Sequence, residues 1–149
     1  MKTKRAIQVF ERESELLPSV ERYLRNRTFR LQSVEVQFYE HRMDLFAYSL
    51  QHDLTVAVEI KRTRWLRAVE QALLYQLCSD WTYIAMPRNE LERVDIDTLK
   101  LHGLGLIAVQ QSRCDEVLPA EPSEVLRRHY RDTYLTSLWE VALNGKCRS

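Results

Sequence analysis

Three charged residues, Asp44, Glu59 and Lys61, have types that together could bind a divalent cation and stabilise a reacting phosphate. Carboxylate oxygens are preferred ligands of magnesium and manganese, and such a cation keeps water molecules that can attack a substrate. A nearby lysine ammonium can contact that water, or the negative charge that develops on phosphorus. The chemistry that these residue types predict is metal-dependent hydrolysis of a phosphodiester, provided that the fold brings the three side chains together.

The segments that carry these residues are predicted to form a β-hairpin. Arg42–Ser49 and Leu54–Lys61 are separated by four residues, a length typical of a hairpin connection. If the strands pair directly across this turn, Asp44 lies opposite Glu59. Like charges directly opposite each other destabilise a strand pair, so this register favours a cation between the two carboxylates. The main-chain carbonyl of Ile60 could be a further ligand of that cation.

The same register divides the hairpin into a polar face and an apolar face. Because side chains alternate along a strand, Lys61 lies on the face of Glu59, and Arg42 is expected opposite Lys61. The apolar face is predicted to consist of Met43, Leu45 and Ala47 packed against Ile60, Val58 and Val56.

Hydrophobic periodicity predicts the elements that must position this hairpin. In chain order they are an amphipathic helix from about Gln8 to Arg27, a strand over Ser33–Tyr39, a helix over Trp65–Ser79, a strand over Trp81–Met86, a partly helical segment over Arg88–Leu101, a strand over Leu104–Val109 and a terminal helix over Glu124–Leu143. A strand, helix, strand order implies a parallel pair with a right-handed crossover. We therefore expect an α/β domain with a mixed sheet of about five strands and helices on both faces.

The length and composition fit one globular domain. With 149 residues, 45% of them hydrophobic and 29% charged, the chain is expected to form a core over about residues 8–110 and a C-terminal helical extension over about residues 120–145. Cys78, Cys114 and Cys147 are odd in number and far apart, which is typical of neither a disulfide framework nor a zinc site. Reduced thiols and the absence of a long apolar run predict a cytoplasmic protein.

With these residues the chain resembles the PD-(D/E)xK nuclease superfamily, which has the restriction-endonuclease-like fold. The resemblance covers about Glu11 to Val109 and rests on Glu13-Ser14-Glu15, Arg42-Met43-Asp44-Leu45, Val58-Glu59-Ile60-Lys61, Gln71 and Trp81-Thr82-Tyr83-Ile84-Ala85-Met86-Pro87. It implies that Asp44 and Glu59 bind Mg²⁺ or Mn²⁺ and that Lys61 positions or activates water. Met43 stands where this family often has proline, a substitution that the family also shows.

The resemblance also implies two supporting residues. A glutamine on the crossover helix is a frequent active-site member, a role that falls to Gln71, and a first-helix glutamate often completes the metal shell. Glu13, Glu15 and Glu21 are the candidates for that glutamate. Glu13 is favoured, because helical spacing puts it on the face of Leu17, Val20 and Leu24, which is expected to pack on the sheet.

Two basic segments are candidate nucleic-acid contacts. Arg62, Arg64 and Arg67 flank Trp65 directly after the predicted site, where they could contact phosphates while the indole stacks on a base or sugar. The second cluster consists of Arg127, Arg128 and Arg131 with His129 and Tyr130, and we interpret it as solvated surface. The net charge of +1 does not decide between these readings, since local clustering governs phosphate binding.

The predicted function is a magnesium- or manganese-dependent endo- or exodeoxyribonuclease. Nucleic acid is the expected partner, with DNA favoured over RNA. A homodimer could cut both strands, and a guiding protein partner would suit a chain with little room for a target-recognition domain. The alternative is a catalytically silent nuclease-like module that binds nucleic acid or a protein. The presence of Asp44, Glu59 and Lys61 together favours the enzyme, because a retired site has no reason to keep all three.

Overall fold

The computed structural model describes residues 10–147, with a six-stranded mixed sheet at their centre. The strands lie side by side in chain order, as β1 (Leu31–Phe38), β2 (His41–Ser49), β3 (Leu54–Ile60), β4 (Trp81–Pro87), β5 (Gly105–Val109) and β6 (Cys114–Leu118). The first three strands form an antiparallel meander, β3, β4 and β5 are parallel, and β6 returns antiparallel to β5. The prediction of an α/β fold with a mixed sheet is confirmed, although one strand more is present than expected.

Helices cover both faces of the sheet, as predicted. They are α1 (Leu17–Asn26), α2 (Trp65–Tyr75), α3 (Ile96–His102) and α4 (Arg128–Cys147), with short 3-10 helices at Glu13–Glu15 and Arg88–Arg93. Pro18 lies in the first turn of α1, where a missing N–H is tolerated. The expected start of the first helix at Gln8 lies outside the described residues. The terminal helix begins at Arg128, later than the predicted Glu124.

Apolar side chains from both faces of the sheet form the core. On one face, Leu16, Val20 and Leu24 from α1 and the residue before it pack against the central strands. On the other face, α2 and α3 pack against β4 and β5, and α4 packs with the end of α2 against β1 and β2. The sheet is thus buried between helices, and functional side chains can reach solvent at its ends and edges.

β6 was missed because its sequence lacks an apolar run. Cys114–Leu118 reads Cys-Asp-Glu-Val-Leu, and its residues are only partly buried. The strand lies at the edge of the sheet, and a turn closed by the N–H of Gln110 donating to the carbonyl of Arg113 brings it back beside β5. A short edge strand needs no buried face, so periodicity does not reveal it.

The hairpin of β2 and β3 has the predicted register, but its regular pairing is shorter than predicted. Ser49 pairs with Leu54, and the ladder runs up to the Leu45–Val58 pair. Asp44 and Glu59 are the next residues after that pair, but they are not hydrogen-bonded ladder partners. The predicted pair of Arg42 with Lys61 is wrong, because the ladder between β2 and β3 ends at the Leu45–Val58 pair; Arg42 pairs only on its other side, with Gln37 of β1.

β2 changes face beside Asp44, which regular alternation does not predict. Leu45 packs in the core on the α1 side, as expected, but Met43 packs in the core on the α2 and α4 side. In β1, Glu35 has φ 53, a left-handed conformation within an otherwise extended strand. The strand pairs on either side of Glu35 and Asp44 therefore point to opposite faces. The predicted position of Met43 is wrong, and the other five residues of that apolar face are placed as predicted.

Arg131 ties α4 to the rest of the fold, so its interpretation as solvated surface is wrong. Its guanidinium donates to Asp80 Oδ2 at 3.0 Å and to Asp53 Oδ1 at 3.1 Å, and its side chain is only 11% exposed. Asp80 in turn accepts from the N–H and hydroxyl of Thr55 at the start of β3. This network is formed by distant residues, and charge clustering along the sequence could not reveal it.

Candidate metal and phosphate site

Asp44 lies at the point where β2 and β3 separate. Its Oδ2 accepts a hydrogen bond from the main-chain N–H of Ile60 at 2.7 Å, so the carboxylate takes the place of a strand partner. Burial raises the pKa of Asp44, while the Ile60 hydrogen bond and the charge of Lys61 act in the opposite direction. Asp44 is only half-buried, so its carboxylate can be reached from solvent.

Glu59 is the most deeply buried carboxylate of the site, with 2% of its surface exposed. Its Oε1 lies 3.4 Å from Lys61 Nζ, whereas Oε2 is buried with no hydrogen-bond partner. Burial, followed by the nearby charge of Asp44, raises the pKa of Glu59 to about 8. The two carboxyl groups lie near enough for each to influence the charge of the other. The fold therefore brings together Asp44, Glu59 and Lys61, as the hairpin register predicts.

Lys61 follows β3 directly, and its main chain extends the pairing with β4. Its N–H donates to the carbonyl of Ala85 at 3.0 Å. Ile60, whose carbonyl is the predicted ligand, pairs with Ala85 in the parallel ladder. The end of the parallel pair thus fixes the backbone on both sides of the Ile60 carbonyl, while the Lys61 side chain, 15% exposed, stays near the surface.

Tyr75 is a site residue that the sequence analysis missed. It is fully buried at the end of α2, and its hydroxyl donates to the main-chain carbonyl of Arg42 at 3.0 Å. Burial and the nearby Glu59 carboxylate raise the pKa of Tyr75, which places the phenol beside that carboxylate. A tyrosine one helical turn after Gln71 was the available signal, because residues four apart share a helix face.

Gln71 lies on the same face of α2 as Tyr75, and its Oε1 is buried without a hydrogen-bond partner. A buried amide oxygen left unpaired is costly, so it marks a place where a further donor would be favourable. Glu59 Oε2 is likewise buried without a partner among the described residues. Glu59 lies on β3 and Gln71 on α2, two elements that pack together.

Glu13 reaches the site from a 3-10 turn and not from the packed face of α1, where helical spacing placed it. Its side chain is exposed, and its Oε1 accepts from the N–H of Arg62 at 3.4 Å. It lines a small cleft with Leu17, Asp44 and Ile60. Glu15 instead accepts a hydrogen bond from the N–H of Arg12 and caps its own turn. Glu13 is therefore the first-helix glutamate that lies beside Asp44, although for a different reason than predicted.

The predicted nucleic-acid contacts lie at the start of α2. Arg64 has φ 56 and precedes the helix, and Arg64, Trp65 and Arg67 line a shallow open groove. Arg64 and Arg67 are exposed, Arg62 is half-buried, and Trp65 packs partly against the core beneath α2. Among the ion pairs between described residues, none involves these arginines. Their charge is available to an anion.

The side chains of residues 10–144 contain no group of three or more His, Cys, Asp or Glu residues placed to hold a metal ion. Any cation at Asp44 and Glu59 would therefore need main-chain, water or substrate oxygens to complete its shell. No helix in the described part of the chain has the length and apolar character required to cross a bilayer.

Comparison with known proteins adds evidence on the fold. No family model matches the chain, and no curated protein matches it. Among solved structures, the chain is similar to the SPO1766 protein of unknown function from Silicibacter pomeroyi, with a TM-score of 0.70 and 18% identity over 91% of this chain and 88% of that one. A likeness at this identity shows a shared α/β fold alone.

Proposed function

We propose that the chain is a metal-dependent nuclease of the PD-(D/E)xK superfamily with the restriction-endonuclease-like fold. The observation that carries the proposal is the position of Glu59, a buried carboxylate with Oε2 unpartnered, beside Asp44 and Lys61. Burying a carboxylate beside a second one raises the free energy of the folded protein. A site of this kind is common where function requires the two groups together.

The donor set fits Mg²⁺ or Mn²⁺. Asp44 accepts the Ile60 N–H with one of its two oxygens, and Glu59 has its unpartnered Oε2. Asp44, Glu13 and Ile60 line one cleft, and the Ile60 carbonyl is the proposed main-chain ligand. All of these donors are oxygens, which hard cations prefer. When bound, such an ion supplies positive charge for the phosphate and lowers the pKa of water.

Lys61 and Tyr75 complete the proposed roles of the chain. The Lys61 ammonium, 3.4 Å from Glu59 Oε1, can donate to an attacking water or to a phosphate oxygen while its position is held by the carboxylate. The Tyr75 hydroxyl, anchored on the Arg42 carbonyl, limits the movement of Glu59. Gln71 could donate its amide N–H to substrate or water. DNA is the proposed substrate, with Arg62, Arg64, Trp65 and Arg67 along its phosphates.

The decisive experiment is cleavage by the purified protein with Mg²⁺ or Mn²⁺ on single-stranded, double-stranded and branched DNA, and on RNA. At least one substrate should be cut. Lys61→Ala and Asp44→Asn should each lower the rate by about 100-fold or more, because Lys61→Ala removes the cation that stabilises the reacting phosphate and Asp44→Asn weakens the binding of the metal ion. Lys100→Ala, on the exposed surface of α3, is the matched control and should retain full activity. Cleavage that survives both site variants would rule out the proposed site.

A second candidate function is a silent module that binds nucleic acid or a protein. The 3.4 Å contact between Lys61 Nζ and Glu59 Oε1 favours it, since this contact supports the two side chains without a metal ion. Calorimetric titration with Mn²⁺ separates the two functions. Wild type should bind Mn²⁺, and Glu59→Ala should not; no response in wild type, or equal responses in both, would favour the silent module.

A further inference from the structure

An exposed tyrosine lies at the tip of the β1–β2 hairpin, at the end of the sheet that carries Asp44. Tyr39 has 61% of its surface exposed. Its φ is 54, a left-handed conformation that bulky residues adopt rarely and at a cost in free energy. Glycine would suit this backbone better, and the side chain is largely exposed. The side chain is therefore a candidate for a role outside folding.

Two aromatic residues from the first turn of α4 extend this surface. The hydroxyl groups of Tyr39 and Tyr130 are hydrogen-bonded, and their ring centroids lie 5.9 Å apart in an edge-to-face arrangement. The ring of His129 lies 4.2 Å from that of Tyr130, tilted by 37°. The Tyr39 ring also packs edge-on against buried Phe38, with centroids 4.8 Å apart. We call Tyr39, His129 and Tyr130 the aromatic patch; its rings are held in place by one another and by the core.

Positive charge borders the aromatic patch. Arg127 and Arg128 come directly before His129 and Tyr130 in the chain, and Arg42 comes three residues after Tyr39, on β2. All three arginines are exposed. The hydrogen bond with Tyr130 raises the pKa of Tyr39, while the charge of Arg127 acts in the opposite direction. The surface thus combines aromatic rings with cations, as surfaces that bind an unpaired polynucleotide do.

We propose that the aromatic patch binds single-stranded nucleic acid at the end of the sheet that carries Asp44. Aromatic rings stack on unpaired bases whatever their sequence, and guanidinium groups contact the phosphates. A duplex hides its base faces, so the patch fits a single strand or a frayed end.

The aromatic patch lies close to Asp44 along the chain. His41 pairs with Phe38, next to Tyr39. Asp44 lies three residues after His41 on β2, and an extended strand covers that separation in about 10 Å. Arg42 is exposed between them. The proposal rests on the proposed function for the choice of nucleic acid, and it is tested by binding without cleavage so that the two can fail separately.

The test is fluorescence anisotropy with labelled oligothymidylate, oligouridylate and a DNA duplex of about 20 nucleotides or base pairs, at low salt with EDTA. Tyr39→Ala should raise the Kd for the single strands by about 5- to 150-fold and change duplex binding little, because one stacked base is lost. Tyr39→Phe keeps the ring and should bind as wild type does. The ratio of the two single-strand Kd values identifies DNA or RNA as the preferred ligand.

Further variants keep the result interpretable. Tyr39→Gly suits the left-handed backbone, so it should fold and still lose single-strand binding. Arg127→Gln should weaken binding and reduce its dependence on salt, whereas Arg25→Gln on exposed α1 should not. Glu40→Gln, next to Tyr39, should strengthen binding by removing a negative charge. Wild-type affinity in folded Tyr39→Ala and Tyr39→Gly would overturn the proposal. So would a dimer, seen by sedimentation, that dissociates in these variants while affinity for the single strands stays the same.

Discussion

The main-chain N–H of Ile60 donates a hydrogen bond to Asp44 Oδ2 at 2.7 Å, one residue beyond the last regular pair of β2 and β3. A carboxylate thereby closes the gap at which the two strands separate. The same contact holds Asp44 near Glu59, and Asp44 lines the small cleft to which Glu13 also belongs. This one hydrogen bond supports both the stability of the fold and the position of a site residue, and variants of Asp44 can separate the two effects.

Asp44→Ala should be less stable than Asp44→Asn by about 1–3 kcal/mol, because alanine leaves the Ile60 N–H without its acceptor and asparagine offers a carbonyl oxygen in its place. Urea unfolding of both variants measures the difference. Both should lose cleavage, since neither retains the carboxylate charge. Equal stability of the two variants would show that the hydrogen bond does not support the fold.

The metal-free protein should lose stability as pH rises from about 5 to about 8. Folding raises the pKa of Glu59 from 4.5 to about 8, so the folded state favours the protonated carboxyl. The stability gained from that proton is complete below pH 4.5 and is lost as pH rises through about 8. The loss should reach a few kcal/mol, at about 1.4 kcal/mol per pH unit. Urea unfolding with EDTA across this range measures it, and Glu59→Gln should flatten the profile. An identical slope in Glu59→Gln would contradict the assignment.

Tyr75→Phe should reduce cleavage about 10-fold with little change in KM, because the phenol touches Glu59 and the Arg42 carbonyl rather than substrate. Stability should fall by about 1 kcal/mol, the net value of one hydrogen bond. Steady-state kinetics and urea unfolding measure the two effects. Tyr134→Phe, on the same side of the sheet in α4, is the control and should leave the rate unchanged. A loss of stability without a loss of rate would make Tyr75 a purely structural residue.

Arg131→Ala should lower the free energy of unfolding by about 2 kcal/mol or more, because it leaves Asp80 and Asp53 without their cation. Exposed Arg128→Ala is the matched control and should stay within about 0.5 kcal/mol of wild type. Denaturant unfolding of both variants is the measurement, and Mn²⁺ titration should be unchanged in each. Equal stability of the two variants would show that the ion pairs of Arg131 do not stabilise the fold.

Much of the fold could be predicted because local patterns decide it. The turn after Ser49 fixes the register of β2 and β3, and the i, i+2 spacing of Glu59 and Lys61 puts both side chains on one face of a strand. The crossover over α2 follows from the order of strand, helix and strand, whose handedness is almost fixed. The neighbouring carboxylates of the site follow from the register alone.

What could not be predicted depends on backbone exceptions and on distant contacts. The face of Met43 is decided in the neighbouring strand, where Glu35 is left-handed. The role of Tyr75 depends on a carbonyl 33 residues earlier in the chain, and that of Arg131 on a carboxylate 51 residues earlier. Neither periodicity nor residue type predicts contacts between residues so far apart in the chain.

The left-handed conformation of Glu35 also restricts which residue types relatives can carry at this position, and sequences alone can test that restriction. At φ 53, glycine, asparagine and aspartate are tolerated better than β-branched residues. Distant relatives that keep the same cleft should therefore show those residues, or glutamate, nine positions before the aspartate equivalent to Asp44. A two-position signature of this kind could sort such sequences into those that keep the cleft and those that keep the sheet alone.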